Sequence, residues 1–580
     1  MIKRRGCSCT KEDFLPENSF QSWTNYLNAL KEIPTRFIDR VVARSQDYIE
    51  LHEVKARSQN EMIKILTGWD LIWFGVGSLI GAGVFVLTGL EAKEHAGPAV
   101  VVSYLIAGAS AMLSVLCYIE FAIEIPVAGG SFAYLKVELG DFMAFLAAGN
   151  ILLEYILGGA ALARAWTSYF ATLCDHVPDE FRVTAPSLGK DYNQLDPIAV
   201  VVVAVICVLA VTSTKVSSRV NFFATIIHMV VIVFIIIVGL TKADISNYKP
   251  FAPYGVRGVF RSSAVLFYAF VGFDAVSTMA EETKNPSEDI PFGLIGSMVI
   301  AIVSYCLLAI TVCLMQPYSQ LDPDAPFSIA FQKAGLGWAK YVVDIGALKG
   351  MTTVLLVNAM GQARYLTHIA RTHMLPPWFA QVNSTFGTPV NATVVMLIIT
   401  AIIALFTDLL VLSNLLSIST LVMFMMVPVA LLVRRYYDAN VTSYINRIKL
   451  FCCIALILSS AIGSSIYWSI NDTHWIGYII TTSIWFISTS FLKIFVPQAR
   501  DPKIWGVPLM PWVASASIFI NIFLLGSIDK DSFTRFGIWT GILMVYYLFF
   551  GLHASYDIAK ATEDNNMRDL KNLKMIEQSD

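Results

Sequence analysis

Charge is scarce in this chain: Asp, Glu, Lys and Arg make up 14% of 580 residues, against about a quarter in soluble domains. That excludes an ordinary water-soluble globule. Basic and acidic residues nearly cancel, 41 against 43, so there is no overall basic field to hold nucleic acid. Of nine cysteines, Cys117, Cys207, Cys306, Cys313, Cys452 and Cys453 fall in or beside apolar stretches, and Cys7 and Cys9 in the polar N-terminal segment. Cys174 stands alone in an expected outer loop, which predicts no internal disulfide. Residues 1–68 contain no apolar run followed by a small-residue cleavage site. They do not read as a secretory signal peptide, and the first apolar stretch must direct insertion. Catalytic signatures are missing as well. His368 and His373 stand five apart without the acid-bearing helical motif of a zinc site, and neither GxSxG nor a phosphate-binding lysine loop occurs. No enzyme, cofactor or metal is expected. Nor are there the charge rings or carbonyl filters of a channel.

Apolar residues are plentiful, 56% of the chain, with a mean hydropathy of +0.62. A helix needs about 20 apolar residues to cross a bilayer. Fourteen stretches meet that need, near 69–90, 98–120, 142–164, 195–213, 220–240, 260–280, 291–315, 338–363, 390–407, 409–433, 450–468, 474–496, 509–527 and 535–553. The fold expected is an all-α integral membrane protein. Lys3, Arg4, Arg5, Arg434, Arg435, Arg447, Lys449, Arg500 and Lys503 concentrate basic charge in alternate loops, which places both termini in the cytosol. The acceptor sequons at Asn383, Asn391 and Asn440 then fall inside, and Asn471 lies in a short outer loop, so little or no N-glycan is expected. Between Trp23 and Val42 the pattern fits a short amphipathic helix on the membrane, or a loosely docked tail. The charged residues from about 555 read as a disordered tail.

The first and sixth stretches are interrupted by glycine at their middles. Trp69 to Leu90 contains Gly75, Gly77, Gly81 and Gly83; Phe260 to Ala280 contains the run Phe270, Val271, Gly272, Phe273, Asp274. Glycine is unfavourable within helices and unpaired backbone is intolerable against lipid, so such breaks survive where they line a cavity or are buried in protein. Two broken spans five apart fit an inverted repeat of five helices each, with a midplane substrate site where the halves meet. That is the layout of a secondary transporter. It divides the chain into a cytosolic segment (1–68), a ten-helix transport core (69–436), a four-helix C-terminal bundle (437–554) and a cytosolic tail (555–580).

Four motifs carry a resemblance: Gly77-Ser-Leu-Ile-Gly-Ala-Gly-Val-Phe85, the run from Tyr118 to Tyr134, Phe273-Asp-Ala-Val-Ser-Thr-Met-Ala-Glu-Glu-Thr-Lys-Asn-Pro286, and Gly361-Gln-Ala-Arg364. From about residue 60 to 555 the chain resembles the cationic amino-acid transporter family of the amino acid, polyamine and organocation superfamily, especially its plant-type members. The segment Gly6-Cys-Ser-Cys-Thr10 with Phe14-Leu-Pro-Glu17 is similar to the plasma-membrane branch. The resemblance implies alternating-access transport of lysine, arginine and similar cations, with proton coupling left open. A broader neutral and cationic proton symporter, taking glutamine for instance, and an amino-acid sensor on the same fold are the alternatives. Cys7 and Cys9, beside three basic residues, are palmitoylation candidates or free thiols. Ser419 departs from the glycine that many relatives carry, a change expected to affect packing rather than substrate choice.

An amino-acid substrate needs donors for its carboxylate, acceptors for its ammonium group and a side-chain pocket. Freed N–H groups at Gly81, Ala82 and Gly83, at the start of a half-helix, suit the carboxylate; otherwise these glycines only permit close packing. Carbonyls near Phe270, Val271 and Gly272 suit the α-ammonium group. The resemblance places a gating aromatic at Tyr268, which on its own reads equally as core. An intramembrane carboxylate costs about 2.5 to 3.5 kcal/mol on insertion scales. Glu154 lies one turn from Asn150 on a face with Gly158 and Ala161, and could meet a basic side chain or form a structural ion pair. Glu120 is expected to stay buried, with Glu124 at the interface; transport and anchoring are both open to it. Asp274 follows the second break, where it could cap exposed N–H groups or change protonation. His228 could carry a proton or simply be hydrogen-bonded. The resemblance places Asn358 in the side-chain pocket. Lys349, with Asp344 nearby, is expected to pair with an acid away from the cationic substrate.

Overall fold

The computed structural model describes residues 14–42, 64, 66–125, 130–189, 192–212, 218–383, 387–470, 475–502 and 504–561. Cys7, Cys9, Lys3, Arg4, Arg5, Asn471, Lys503 and the tail beyond 561 lie outside them. Nearly all of what is described is helical, with one two-stranded hairpin pairing Val183–Thr184 with Gln194–Leu195. Among the described residues nine helical segments are long and apolar enough to cross a bilayer, and four shorter apolar helices accompany them. Each of the fourteen apolar stretches is helical over most of its length.

Two helices of the transport core run well beyond the expected ends, for a reason hydropathy cannot see. The third spans Asp141–Leu173 and the eighth Gly337–Arg371. In the third, Thr167 donates to Asp196 at 3.0 Å and Thr172 to Asp344 at 3.0 Å, so polar residues continue the helix inside protein rather than ending it in water. A further helix, Gly130–Leu139, precedes the third span. The N-terminal segment forms a one-turn helix, Asn18–Gln21, and two longer ones, Trp23–Lys31 and Ile33–Val42, separated at Glu32. The segment docks against the C-terminal end: Ser19 N–H donates to Asp557 at 2.7 Å and Tyr26 Oη to the Phe549 carbonyl at 3.2 Å. Both described ends of the chain therefore share one face, called here the terminal face.

The third helix packs along the eighth and tenth (Leu409–Tyr436), and the seventh (Pro286–Met315) along the first half-helix and the second helix (Val100–Glu124). These five long neighbours cradle the two broken helices. The first begins at Gly68–Leu79 under a Thr67/Asp70 capping box, is interrupted at Ile80 and Gly81, and resumes at Ala82–Phe85. The sixth runs Gly255–Leu266, tightens into a 3-10 turn at Phe267–Phe270, breaks at Val271 and Gly272, and resumes at Phe273–Ser277. Leu66 then bridges to Thr283, with its N–H donating to the Glu282 carbonyl at 3.0 Å, so the two helices are joined again at the terminal face.

Candidate functional site

The two breaks meet each other. Ser78 Oγ lies 2.9 Å from the Gly272 carbonyl and 2.9 Å from the Gly75 carbonyl of its own helix, and shares its proton between them. Tyr305, from the seventh helix, places its hydroxyl 2.8 Å from the Leu79 carbonyl and 2.9 Å from the Ala269 carbonyl, one on each side. Gly272 has φ +120°, and a Cβ there would lie 2.7 Å from the Ser78 carbonyl oxygen. At Gly83 a Cβ would lie 2.6 Å from Ala269 Cα. Glycine is required at both positions because two main chains pass where side chains normally separate them.

Gly81 faces Leu162 and Val354, and Ala82 opens the second half-helix, whose first turn carries N–H groups without intrahelical acceptors. Across from it, Tyr268 is 9% exposed and Phe270 is fully buried against Tyr104 and Tyr305. Phe270 thus anchors the turn, and its neighbours Val271 and Gly272 are partly exposed. Asp274 lies in the first turn after the break, with its carboxylate close to the N–H groups of that turn, while the Ala275 N–H donates to the Gly272 carbonyl at 3.2 Å. The placement suits a cap.

Glu154 lies within reach of the Thr420 hydroxyl and within electrostatic range of Asp274 and Tyr268. Among the described residues it forms no ion pair. One turn away, Asn150 has its side-chain oxygen buried without a hydrogen bond among the described residues, as has Asn358, whose amide donates to the Tyr155 carbonyl at 3.2 Å. Asn358 sits over Gly158 and Gly159. Two unsatisfied acceptors and an uncompensated carboxylate on one side, facing main-chain polar groups on the other, suit a ligand that brings its own donors and positive charge.

Toward the face opposite the termini the site is sealed. Phe85 is fully buried, with the rings of Tyr169, His228 and Phe327 at 6.1, 5.4 and 5.9 Å, and Tyr169 Oη donates to its carbonyl at 2.7 Å. His228 belongs to this plug. Its ring nitrogens make no hydrogen bond among the described residues, with the Gly346 carbonyl and Lys349 beside it, and Gly350 provides the space for the ring. Outside the plug, Arg182 donates to Asp324 and to Ser168, each at 2.9 Å. Lys340 pairs with Asp175 at 2.6 Å, and the Lys340 and Tyr341 donors hold the Asp175 carboxyl below the usual carboxylate range. Asp344 accepts from Thr172 rather than serving the site. Toward the terminal face Gly272, Asp274, Asn358, Gly361 and Tyr365 all retain partial exposure.

The structure does not bring Glu120 to this centre. Its carboxylate is fully buried at the terminal end of the second helix, bound by Arg435 Nε at 2.6 Å and Nη2 at 3.0 Å and by the Val507 N–H at 2.7 Å. Glu124 pairs with Arg434 at 2.6 Å, so two adjacent arginines answer two acids one helical turn apart. Ser419 donates to the Asn150 carbonyl at 2.8 Å, tying the tenth helix to the third. Ser78 and Tyr305 were missed from sequence. Tyr305 carries a hydroxyl within an otherwise apolar stretch, and a buried tyrosine hydroxyl needs a partner.

The model of the amino acid permease family matches residues 66–460, and that of the C-terminus of these permeases matches residues 505–555. The chain is 68% identical to cationic amino acid transporter 1 of Arabidopsis thaliana over 97% of its own length and 94% of that protein's. It is 51% identical to cationic amino acid transporter 8, vacuolar, of the same plant, over 95% and 93%. A methylthioribose transporter of Bacillus subtilis is 32% identical over 75% of this chain and 94% of its own.

Proposed function

This chain belongs to the amino acid permease family and transports amino acids; from that premise we propose that its cargo is cationic, lysine and arginine foremost, moved by alternating access across the plasma membrane. The observation that carries this reading is Glu154, a buried acid beside the two breaks that no basic residue neutralises among those described. A buried charge without a partner is costly. A basic substrate side chain supplies that partner at each loading, and the Asn358 oxygen accepts a second bond from its distal nitrogens. The α-carboxylate is assigned to the N–H groups of Gly81, Ala82 and Gly83, and the α-ammonium group to the carbonyls of Phe270, Val271 and Gly272 with Asn150 nearby. Tyr268 covers the bound substrate. In this assignment Asp274 holds the break open, Glu120 anchors the C-terminal helices, and His228 fills the plug rather than carrying a proton.

The basic loops assign the terminal face to the cytosol. The sealed plug and the partly exposed strip on the terminal side then correspond to an outward-closed conformation. Each positive charge crossing 100 mV gains about 2.3 kcal/mol, so a cationic substrate accumulates without a coupled proton. The plasma-membrane assignment rests on the resemblance of the first 17 residues, and imaging of the tagged protein tests it.

Radiolabelled arginine uptake in a strain lacking its own carriers, competed by a panel of amino acids, tests the substrate. Lysine and ornithine should compete and glutamine should compete weakly. Equal competition by neutral amino acids would transfer the assignment to the broad-specificity symporter.

A further inference from the structure

On the lipid side of the molecule a groove separates the transport core from the C-terminal helices. Its outer part is a cavity of about 410 Å³. The second helix contributes Ala109, the sixth Phe260, the twelfth Tyr478 and Thr482, and the thirteenth Phe519 and Phe523. An open hollow of about 330 Å³, lined by the twelfth helix alone at Thr482, Ser483, Phe486 and Ile487, adjoins it. From Tyr478 to Ile487 the helix rises about 14 Å, close to half of the roughly 30 Å hydrocarbon core. The groove and the helix face that continues it together cover about one leaflet.

Its mouth carries positive charge. Arg257 and Arg261 lie one turn apart in the first two turns of the sixth helix, both exposed, with Phe260 of the groove wall between them in sequence. Arg257 donates to the Trp468 carbonyl at 2.7 Å and lies 5.9 Å from that ring's centre. The Trp468 ring in turn meets Phe260 and Phe523 of the groove, each at 5.3 Å. Indole and guanidinium together mark the headgroup level at the opening of an aromatic slot.

We propose that this groove is a binding site for a single glycerophospholipid of the leaflet opposite the termini, its phosphate held by Arg257 and Arg261 and one acyl chain laid along the twelfth helix. An acyl chain matches the slot in length and polarity, and a phosphate matches the paired arginines in charge. One wall of the slot is fixed, since Asn521 of the thirteenth helix joins Ser110 at 2.8 Å and Ser114 at 3.1 Å on the second. The other wall, Phe260, belongs to the half-helix that leads into the second break, so the lipid braces a segment adjoining the substrate site.

The test is native mass spectrometry of the full-length protein from mild detergent, followed by thermal unfolding of delipidated protein with added phosphatidylglycerol, phosphatidylcholine or sterol. Wild type should retain one phospholipid and gain several degrees in Tm with phosphatidylglycerol. Ala109→Trp, which fills the slot from a lipid-exposed position, should lose both effects. The Arg257→Gln/Arg261→Gln double variant, which leaves the slot open, should show the phospholipid gain reduced at least tenfold in apparent affinity. Retention of phospholipid by Ala109→Trp, an unaltered affinity in the double variant, or a gain with sterol alone would each overturn the assignment.

Discussion

Ser78 places its hydroxyl 2.9 Å from the carbonyl of Gly272 and 2.9 Å from that of Gly75, sharing one proton between the interrupted sixth helix and its own. A break in a membrane helix frees main-chain groups that lipid cannot satisfy. Here part of that demand is met by crossing from one break to the other, and Tyr305 contributes the same service at Leu79 and Ala269. The remaining polar groups of both breaks are thereby held in register for a substrate.

Gly272→Ala should be the most damaging small substitution at this junction. Its positive φ and the Ser78 carbonyl oxygen 2.7 Å from a Cβ impose strain of about 1–3 kcal/mol, relieved only by parting the breaks. Uptake should fall by more than tenfold while the protein still reaches the membrane. Normal uptake would mean that the junction has more slack than its geometry allows.

Tyr305→Phe keeps the ring among Tyr104 and Phe270 and removes one hydroxyl shared by two carbonyls. A lost hydrogen bond that strands an acceptor costs about 1–3 kcal/mol. The expected result is a Tm lowered by a few degrees and a several-fold slower maximal rate, with arginine affinity unchanged, because the hydroxyl holds the breaks and does not touch the site proposed for the substrate.

Glu154→Gln separates substrates by charge. A charge-assisted hydrogen bond is worth about 1.5–3 kcal/mol, so the KM for arginine should rise on the order of 10- to 100-fold, whereas glutamine, which brings no cation, should be affected much less. Parallel losses for both substrates would remove Glu154 from side-chain recognition and leave it a structural role.

Glu120 and Arg435 make the opposite kind of prediction. Removing one partner of a buried ion pair costs about 3–5 kcal/mol, so Glu120→Gln should cut the amount of folded protein sharply. The molecules that survive should retain the wild-type KM for arginine. Arg435→Met combined with Glu120→Gln should recover part of the folded yield, because no charge is then stranded.

Much of this was legible in residue order because membrane constraints are severe. Glycines at 81, 83 and 272 inside apolar stretches marked both interruptions, and the spacing of Asn150 and Glu154 marked one helical face. Asp274 as a cap followed from its position directly after a break. What stayed hidden depended on long-range partners. Nothing local in Arg434-Arg435 distinguishes cytosolic anchors from the counter-ions of Glu124 and Glu120, more than 300 residues earlier. Ser78 and Tyr305 were invisible for the same reason, since the acceptors that tie the breaks together lie 194, 226 and 36 residues away. The far end of the third helix escaped because hydropathy treats Thr167, Ser168 and Thr172 as exposed, whereas their hydroxyls bond inward.

His228 decides how far the driving force can be read from the site. A histidine that carries a coupled proton needs a nearby group to stabilise the imidazolium, and it needs a water path to each side in turn. The ring instead packs edge-on to Phe85 at 5.4 Å, is 5% exposed, and has Lys349 beside it. A second positive charge there would face the first across protein of low polarity. His228→Gln, which keeps a similar shape and cannot take up a proton near neutrality, should therefore leave the dependence of arginine uptake on external pH unchanged, with at most a several-fold loss of rate from looser packing of the plug. Uptake measured from pH 5 to 8 at a clamped membrane potential gives the comparison. If the pH dependence disappears in the variant, the imidazole is part of a proton path, and the outward plug must open to water around it during the cycle.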